Sequence, residues 1–285
     1  MPGVWCSSSS LASAAKSMAA AGTQTVGLCI GGYYNGVGVS ATCREYNGTS
    51  WSAGGTLATA RETLGGCGTQ TVGLCFGGYA GGDKANTEEY DGTSWSAGGD
   101  LSTARQSMAS AGTQTAGLSA GGSTGGGTPS SVTEEYDGSS WSAGGALSTA
   151  RLGVAGCGTQ TAGLCSGGYT GSTVKTVQEY DGSSWSSVSD YPVVIQAHAG
   201  CGTQTDGLFF GGNSYTDLTE EYDGTSWTCG GNLVTARSLL GGCGTRNAGL
   251  SIGGYTGSII ANCEEYSEWG CGLGTGSANM LGVGM

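Results

Sequence analysis

Catalysis and metal binding need titratable side chains in sets, and this sequence supplies few sets. Among 285 residues there is one histidine, His198. A site built on two or three imidazoles is therefore excluded. A Ser-His-Asp arrangement would have to use His198, and its neighbours Gln196, Ala197, Ala199 and Gly200 give it no activating context. Twelve cysteines are the other candidate ligands, but no C-x-x-C occurs. They exchange with small residues at equivalent places along the chain. One place reads Ala21, Cys67, Ala111, Cys157, Cys201, Cys243, and another reads Cys29, Cys75, Ser119, Cys165, Phe209, Ser251. That is how a small buried residue varies. Reduced structural thiols are expected, which favours synthesis in a reducing cytoplasm.

Carboxylates recur before a tyrosine: Glu45, Glu89, Glu135, Glu179, Glu221 and Glu265. A group present six times reads as structural, with Arg61, Arg105, Arg151 and Arg237 as natural partners. The glycine-rich segments lack the Lys-Ser/Thr of a phosphate loop. The chemistry-bearing residues thus predict no enzyme, no metal and no cofactor.

The remaining composition narrows the partners. Lys+Arg number 9 against 21 Asp+Glu, a net charge of -12. Nucleic acid, which needs a basic footprint, is disfavoured, as are anionic membrane surfaces. No run of 18 apolar residues is present, so no membrane insertion is expected. Met1 to Ala21 has no basic region or compact apolar stretch and reads as mature structure, not a signal peptide.

The elements that would position any site are repeats. Gly-Thr-Gln-Thr starts at Gly22, Gly68, Gly112, Gly158 and Gly202, and Gly-Thr-Arg-Asn at Gly244. Each is preceded at 17 residues by a tryptophan: Trp5, Trp51, Trp95, Trp141, Trp185 or Trp227. Each unit reads as four short strands. The first is made of small residues. The second has leucine at its centre (Leu28, Leu74, Leu118, Leu164, Leu208, Leu250) and ends in Gly-Gly. The third ends at Tyr46, Tyr90, Tyr136, Tyr180, Tyr222 or Tyr266, and an Asp-Gly or Asn-Gly turn leads to the tryptophan of the fourth. Four antiparallel strands per 42 to 46 residues is the pattern of a propeller blade.

Gly-Gly, 10 to 14 residues to Tyr, five more to Trp, and an Arg opening the first strand resemble the kelch repeat. The similarity spans roughly residues 4 to 270. It departs from the pattern at Ala15 and Ile195, which stand in place of the Arg, and at Trp269, only three residues after Tyr266. The near-identical copies are also similar to kelch-like proteins of bacteriophage, marine phage in particular. The resemblance implies an all-β, six-bladed kelch-type β-propeller over residues 1–266. Trp5 keeps the 17-residue spacing, so the ring is expected to close through the N-terminal strand Val4-Trp5-Cys6. Trp269 as the closing residue is the alternative. Residues 267–285 then form a Gly-rich tail.

The repeats differ almost entirely between Gly-Gly and Tyr, where the spacing is 14, 12, 14, 12, 10 and 12 residues. Steps of two keep every side chain on its face. One end of the fold is therefore uniform and the other individual. The individual end carries Tyr33, Tyr34, Tyr79, Tyr169, Tyr215 and Tyr255, with Tyr191 in a connection between units and the loop charges Asp83, Lys84, Lys175 and Asp217. Tyrosine offers contact area at low entropy cost. The tyrosines after Gly-Gly either form a contact face or cover the bend. Unit five departs most, with Asp190-Tyr191-Pro192-Val193-Val194-Ile195-Gln196, Asp206, Phe209 and Phe210, which reads as drift or as a contact patch. A non-enzymatic interaction or structural protein is expected, in a phage virion or tail appendage made in the host cytoplasm. It would bind a protein partner or host-surface glycan and pack as a homo-oligomer or within a virion. A carbohydrate-binding or carbohydrate-active propeller is the alternative.

Overall fold

Two tight turns fold each repeat back on itself. At the first, Gly68 takes a φ of 97° that disfavours side chains, and the Thr69 N–H donates to the Val72 carbonyl at 2.9 Å. At the second, Asp91 Oδ1 accepts from the N–H groups of Thr93 (2.8 Å) and Ser94 (2.7 Å). These bonds hold the exposed Asp91 carboxyl below its ordinary range.

The computed structural model describes residues 2–271. Among them the fold is all-β, with no helix and six four-stranded antiparallel sheets, the units from which β-propellers are built. In the second repeat the order is Gly65–Gly68, Gly73–Phe76, Thr87–Tyr90, Trp95–Ala97, each strand bonded to the next. The other first strands are Ala19–Gly22, Ala109–Thr113, Ala155–Gly158, Ala199–Thr203 and Gly241–Thr245. The sixth sheet takes its outer strand from the far end of the chain. Val4–Ser8 pairs with Ile259–Ser267, setting Trp5 opposite Tyr266 as Trp95 is opposite Tyr90. Trp5 is buried, whereas Trp269 is 78% exposed. Of the tail expected from residue 267, Ser267 belongs to the strand and Cys271 is disulfide-bonded to Cys6. Residues 272–285 lie outside the described residues.

The first strands lie against one another in sequence, and that of the sixth sheet lies against that of the first. Small residues permit this. A methyl added to Gly66 would sit 2.8 Å from Ala19 Cβ, and one on Gly156 would sit 2.9 Å from Ala109 Cβ. Just ahead of these strands stand Ser17, Thr63, Ser107, Gly153, Ala197 and Leu239, all with φ between 52° and 65°. Their N–H groups donate head to tail. Leu239 bonds Ala197, Ala197 bonds Gly153, Gly153 bonds Ser107, Ser107 bonds Thr63, Thr63 bonds Ser17, and Ser17 returns to Leu239, at 2.7 to 3.0 Å. A left-handed residue with a side chain costs ~1 kcal/mol, a cost of the same size as the hydrogen bond each one makes.

Side chains tie each sheet to its neighbour. The six glutamates before tyrosine do not pair with Arg61, Arg105, Arg151 or Arg237, contrary to expectation. They accept from the tyrosine hydroxyl of the next sheet: Tyr90 to Glu45, Tyr136 to Glu89 and Tyr46 to Glu265 at 2.6 Å, Tyr180 to Glu135 and Tyr266 to Glu221 at 2.5 Å, and Tyr222 to Glu179 at 2.9 Å. The buried arginines pair one residue earlier. Arg61 meets Glu88 at 2.7 Å, Arg105 meets Glu134 at 2.9 Å, Arg237 meets Glu264, and Arg151 bonds Gln178 at 3.0 Å. Strand alternation is the reason. Glu88 and Tyr90 share a face, and Glu89 points to the other. The Arg61 guanidinium also holds the Gly-Gly bend through the Gly77 and Asn86 carbonyls. The Gln of each Gly-Thr-Gln-Thr crosses back to two carbonyls of the preceding sheet, as Gln70 does to Gly27 (2.9 Å) and Tyr46 (2.7 Å). In the sixth copy Arg246 replaces it and pairs with Glu221 at 3.1 Å and Asp206 at 2.9 Å, which gives Asp206 its role.

Tyrosine and tryptophan of one sheet pack together, with ring centroids 4.8 Å apart for Tyr90 and Trp95 and 5.0 Å for Tyr136 and Trp141. Nine cysteines are free and buried, as expected, and Cys229 is free and exposed. The expectation of reduced thiols is corrected at Cys6 and Cys271, which are bonded to each other.

Candidate interaction surface

The first strand of each sheet begins where the second ends, so the Gly-Gly bends and the head-to-tail hydrogen bonds share one end of the fold. There the residue after each Gly-Gly meets the connection entering the first strand. Tyr33 pairs with Lys16, Tyr79 with Glu62, Ser123 with Gln106, Tyr169 with Leu152, and Tyr255 with Ser238. In the fifth repeat the Asn213 N–H bonds the Gln196 carbonyl at 2.9 Å. The first strands of all six sheets and the left-handed residues just ahead of them line one cavity of about 260 Å³, mostly with small side chains.

The rim is uneven. Lys16 Nζ lies 4.8 Å from the Tyr255 ring centroid and 5.4 Å from that of Tyr33. Tyr215 packs edge-on against Tyr255 at 5.6 Å and is 43% exposed. Ser214 and Tyr215 are both left-handed, with φ of 62° and 54°, a strained pair of the kind that clusters at binding sites. Two of the expected loop tyrosines, Tyr33 and Tyr255, thus flank one cation, and a third, Tyr215, packs on Tyr255. Lys16 itself was not anticipated. It follows Ala15, the position where four other repeats carry Arg, and only the short ladder pairing 16 with 33 brings it to the rim.

Tyr79 and Tyr169 are exposed singly. Asp83 Oδ1 accepts from Gln106 Nε2 at 2.9 Å, so it orders its loop. Lys84 and Asp217 are half-buried in their loops. Lys175 meets Asp190 at 3.5 Å with both side chains about half exposed, a contact of little energetic weight.

Two expected surface tyrosines are in the core. Tyr34 is 4% exposed and its hydroxyl lies 3.9 Å from Cys29 Sγ. Arg61 bonds the equivalent Cys75 in the second sheet. Tyr34 therefore stands in for the arginine that Ala15 lacks. Tyr191 is fully buried. It occupies the place of Leu57, Leu101, Leu147 and Leu233 and packs edge-on against Trp227 at 4.8 Å.

His198 is buried, with Nε2 3.3 Å from Ser166 Oγ and Nδ1 unpartnered, and burial holds its pKa down at about 3. A neutral imidazole between Tyr191 and Phe209 is a core residue. Among the described residues no three His, Cys, Asp or Glu side chains converge to hold a metal ion. Nor is any helix long and apolar enough to cross a membrane.

No protein-family model matches the chain, and no curated protein matches it.

Proposed function

We propose that the chain is a six-bladed β-propeller of the kelch type, closed by its N-terminal strand, that works without catalysis as an interaction protein. Closure is supported by the cycle of six backbone hydrogen bonds and by the pairing of Trp5 with Tyr266. The contact surface is the individual end, centred on Lys16, Tyr33, Tyr215 and Tyr255. The observation that carries this is the gathering of three tyrosines and a lysine from three repeats onto one arc of the rim. Elsewhere repeated side chains serve the scaffold. The role we propose is that of a virion or tail-appendage component, docking to a partner protein or host surface. The acidic charge and the similarity of the repeats to kelch-like phage proteins support it.

Immunogold labelling of purified virions with an antibody against this chain tests the location. Label on tail or capsid is expected, and chain found only in the soluble lysate would overturn it. Carbohydrate binding is the second reading, favoured by the exposed Tyr215 ring beside Tyr255, since aromatic faces stack on sugars. A glycan array separates the two. Specific sugar binding lost in a Lys16→Ala, Tyr215→Ala, Tyr255→Ala variant would favour the second, and an empty array with retained binding to a virion protein favours the first.

A further inference from the structure

The sixth sheet differs from the other five in one covalent respect. In the others, third and fourth strands are joined by a hairpin in which Trp follows Tyr by five residues, as Trp227 follows Tyr222. In the sixth, Val4–Ser8 and Ile259–Ser267 lie at opposite ends of the chain, so no peptide hairpin joins them. The residue five after Tyr266 is Cys271, and it is bonded to Cys6, the residue after Trp5. At the place of Cys6 the other repeats carry Ser52, Ser96, Ser142, Ser186 and Thr228. A cysteine appears at both positions only where the hairpin is missing.

We propose that Cys6–Cys271 is a redox latch that substitutes for the absent hairpin and locks the one third-to-fourth strand junction that, among the described residues, no hairpin joins. The two cysteines lie 5.6 Å apart at Cα and are the only ones besides Cys229 that are not buried. The other nine thiols are sealed in the core, and desolvation raises those whose titration shifts, Cys67 and Cys243 to about 12. An oxidant therefore meets the latch pair and Cys229 and leaves the core untouched.

Closure with a small-molecule disulfide balances in two exchanges. The Cys271 thiolate attacks oxidised glutathione, forming a mixed disulfide and releasing one glutathione thiolate. The Cys6 thiolate then attacks the Cys271 sulfur and releases the second. Two thiols give up two protons and two electrons, and one glutathione disulfide becomes two glutathiones. On the virion reading proposed above, the chain stays open in the reducing cytoplasm where it is made and locks on leaving it. Cross-linking residues 265 apart constrains nearly the whole unfolded chain, so reduction should lower Tm by up to ~10 °C.

The test counts thiols on the folded full-length chain with a chromogenic disulfide reagent, then follows thermal unfolding. Three reactive thiols are expected after reduction and one, Cys229, after exposure to oxidised glutathione, with Tm rising on oxidation. A Cys6→Ser, Cys271→Ser variant should show one thiol under both conditions and keep the reduced chain's Tm. Three thiols persisting after oxidised glutathione would overturn the proposal, as would an oxidised pair containing Cys229 or a Tm that ignores the redox state.

Discussion

At the scale of single residues, the fifth repeat shows what the repeated positions do by omitting them. In the second sheet Glu88 receives Arg61 on one oxygen and the Ala58 N–H on the other. In the fifth, Ile195 replaces the arginine and Pro192 replaces the residue whose N–H would donate. Phe209 replaces Cys75 and fills space beside the lost guanidinium. Glu220 keeps only a 3.6 Å contact from the Cys229 thiol, and its Oε2 is unpartnered. Desolvation raises its pKa above the ordinary 4.5. The folded state then holds a proton that the unfolded state has released, so stability falls as pH rises from about 4.5 toward the raised value. Glu220→Leu should be neutral or stabilising near pH 7 and should lose that pH dependence. Glu134→Leu, at the same position in an intact pair, should cost ~3–5 kcal/mol because it strands buried Arg105. Urea unfolding of both variants between pH 4 and pH 8 measures the contrast. The sequence flags this repeat as irregular, yet drift and contact patch look alike there, because nothing along the chain says that Ile195 and Pro192 abandon the same carboxylate.

At the scale of strands, almost everything was legible. Central leucines, Gly-Gly and Asp-Gly or Asn-Gly turns mark four strands in each of the first five repeats and three in the sixth, and those strands form. The error lay in which neighbour each side chain meets. Glu89 was expected to pair with an arginine, but a one-residue difference in a strand reverses the face. It meets Tyr136 of the next sheet instead. Tyr136→Phe leaves that carboxylate without its donor and should cost ~1.5–3 kcal/mol, measurable by denaturant unfolding. The same ties predict an alkaline limit. Burial, then the glutamate bonds, push Tyr46, Tyr90, Tyr136 and Tyr180 up to about 12 from an ordinary 10. The unfolded chain releases those protons first, so stability should fall as pH rises from 10 toward 12. Tyr136→Phe should flatten one part of that decline, and an unchanged alkaline profile would assign the shift elsewhere.

At the scale of the whole molecule, the cycle of six backbone hydrogen bonds is the least legible feature. Three hydroxyl residues (Ser17, Thr63, Ser107), a glycine, an alanine and a leucine make no common motif, so nothing in the sequence announces that their backbones bond head to tail. The spacing of Trp5 hinted at the seam, and the register of Trp5 against Tyr266 turns that hint into a design. On the propeller reading proposed above, replacing everything between Tyr266 and Trp5 with Asp-Gly-Ser-Ser recreates the hairpin of the other repeats. New ends can open between Gly126 and Gly127, where an added Cβ would meet nothing within 4 Å. This circular permutant lacks Cys271 and the segment after it. It should fold with the near-UV spectrum of the parent, melt within a few degrees of the oxidised chain, and ignore reductant, because a peptide now does what the disulfide does. The linear Cys6→Ser chain is the control for folding without either link. If that control folds while the permutant unfolds or aggregates, the outer strand does not enter the sixth sheet in the register of the other five, and the seam must be closed some other way.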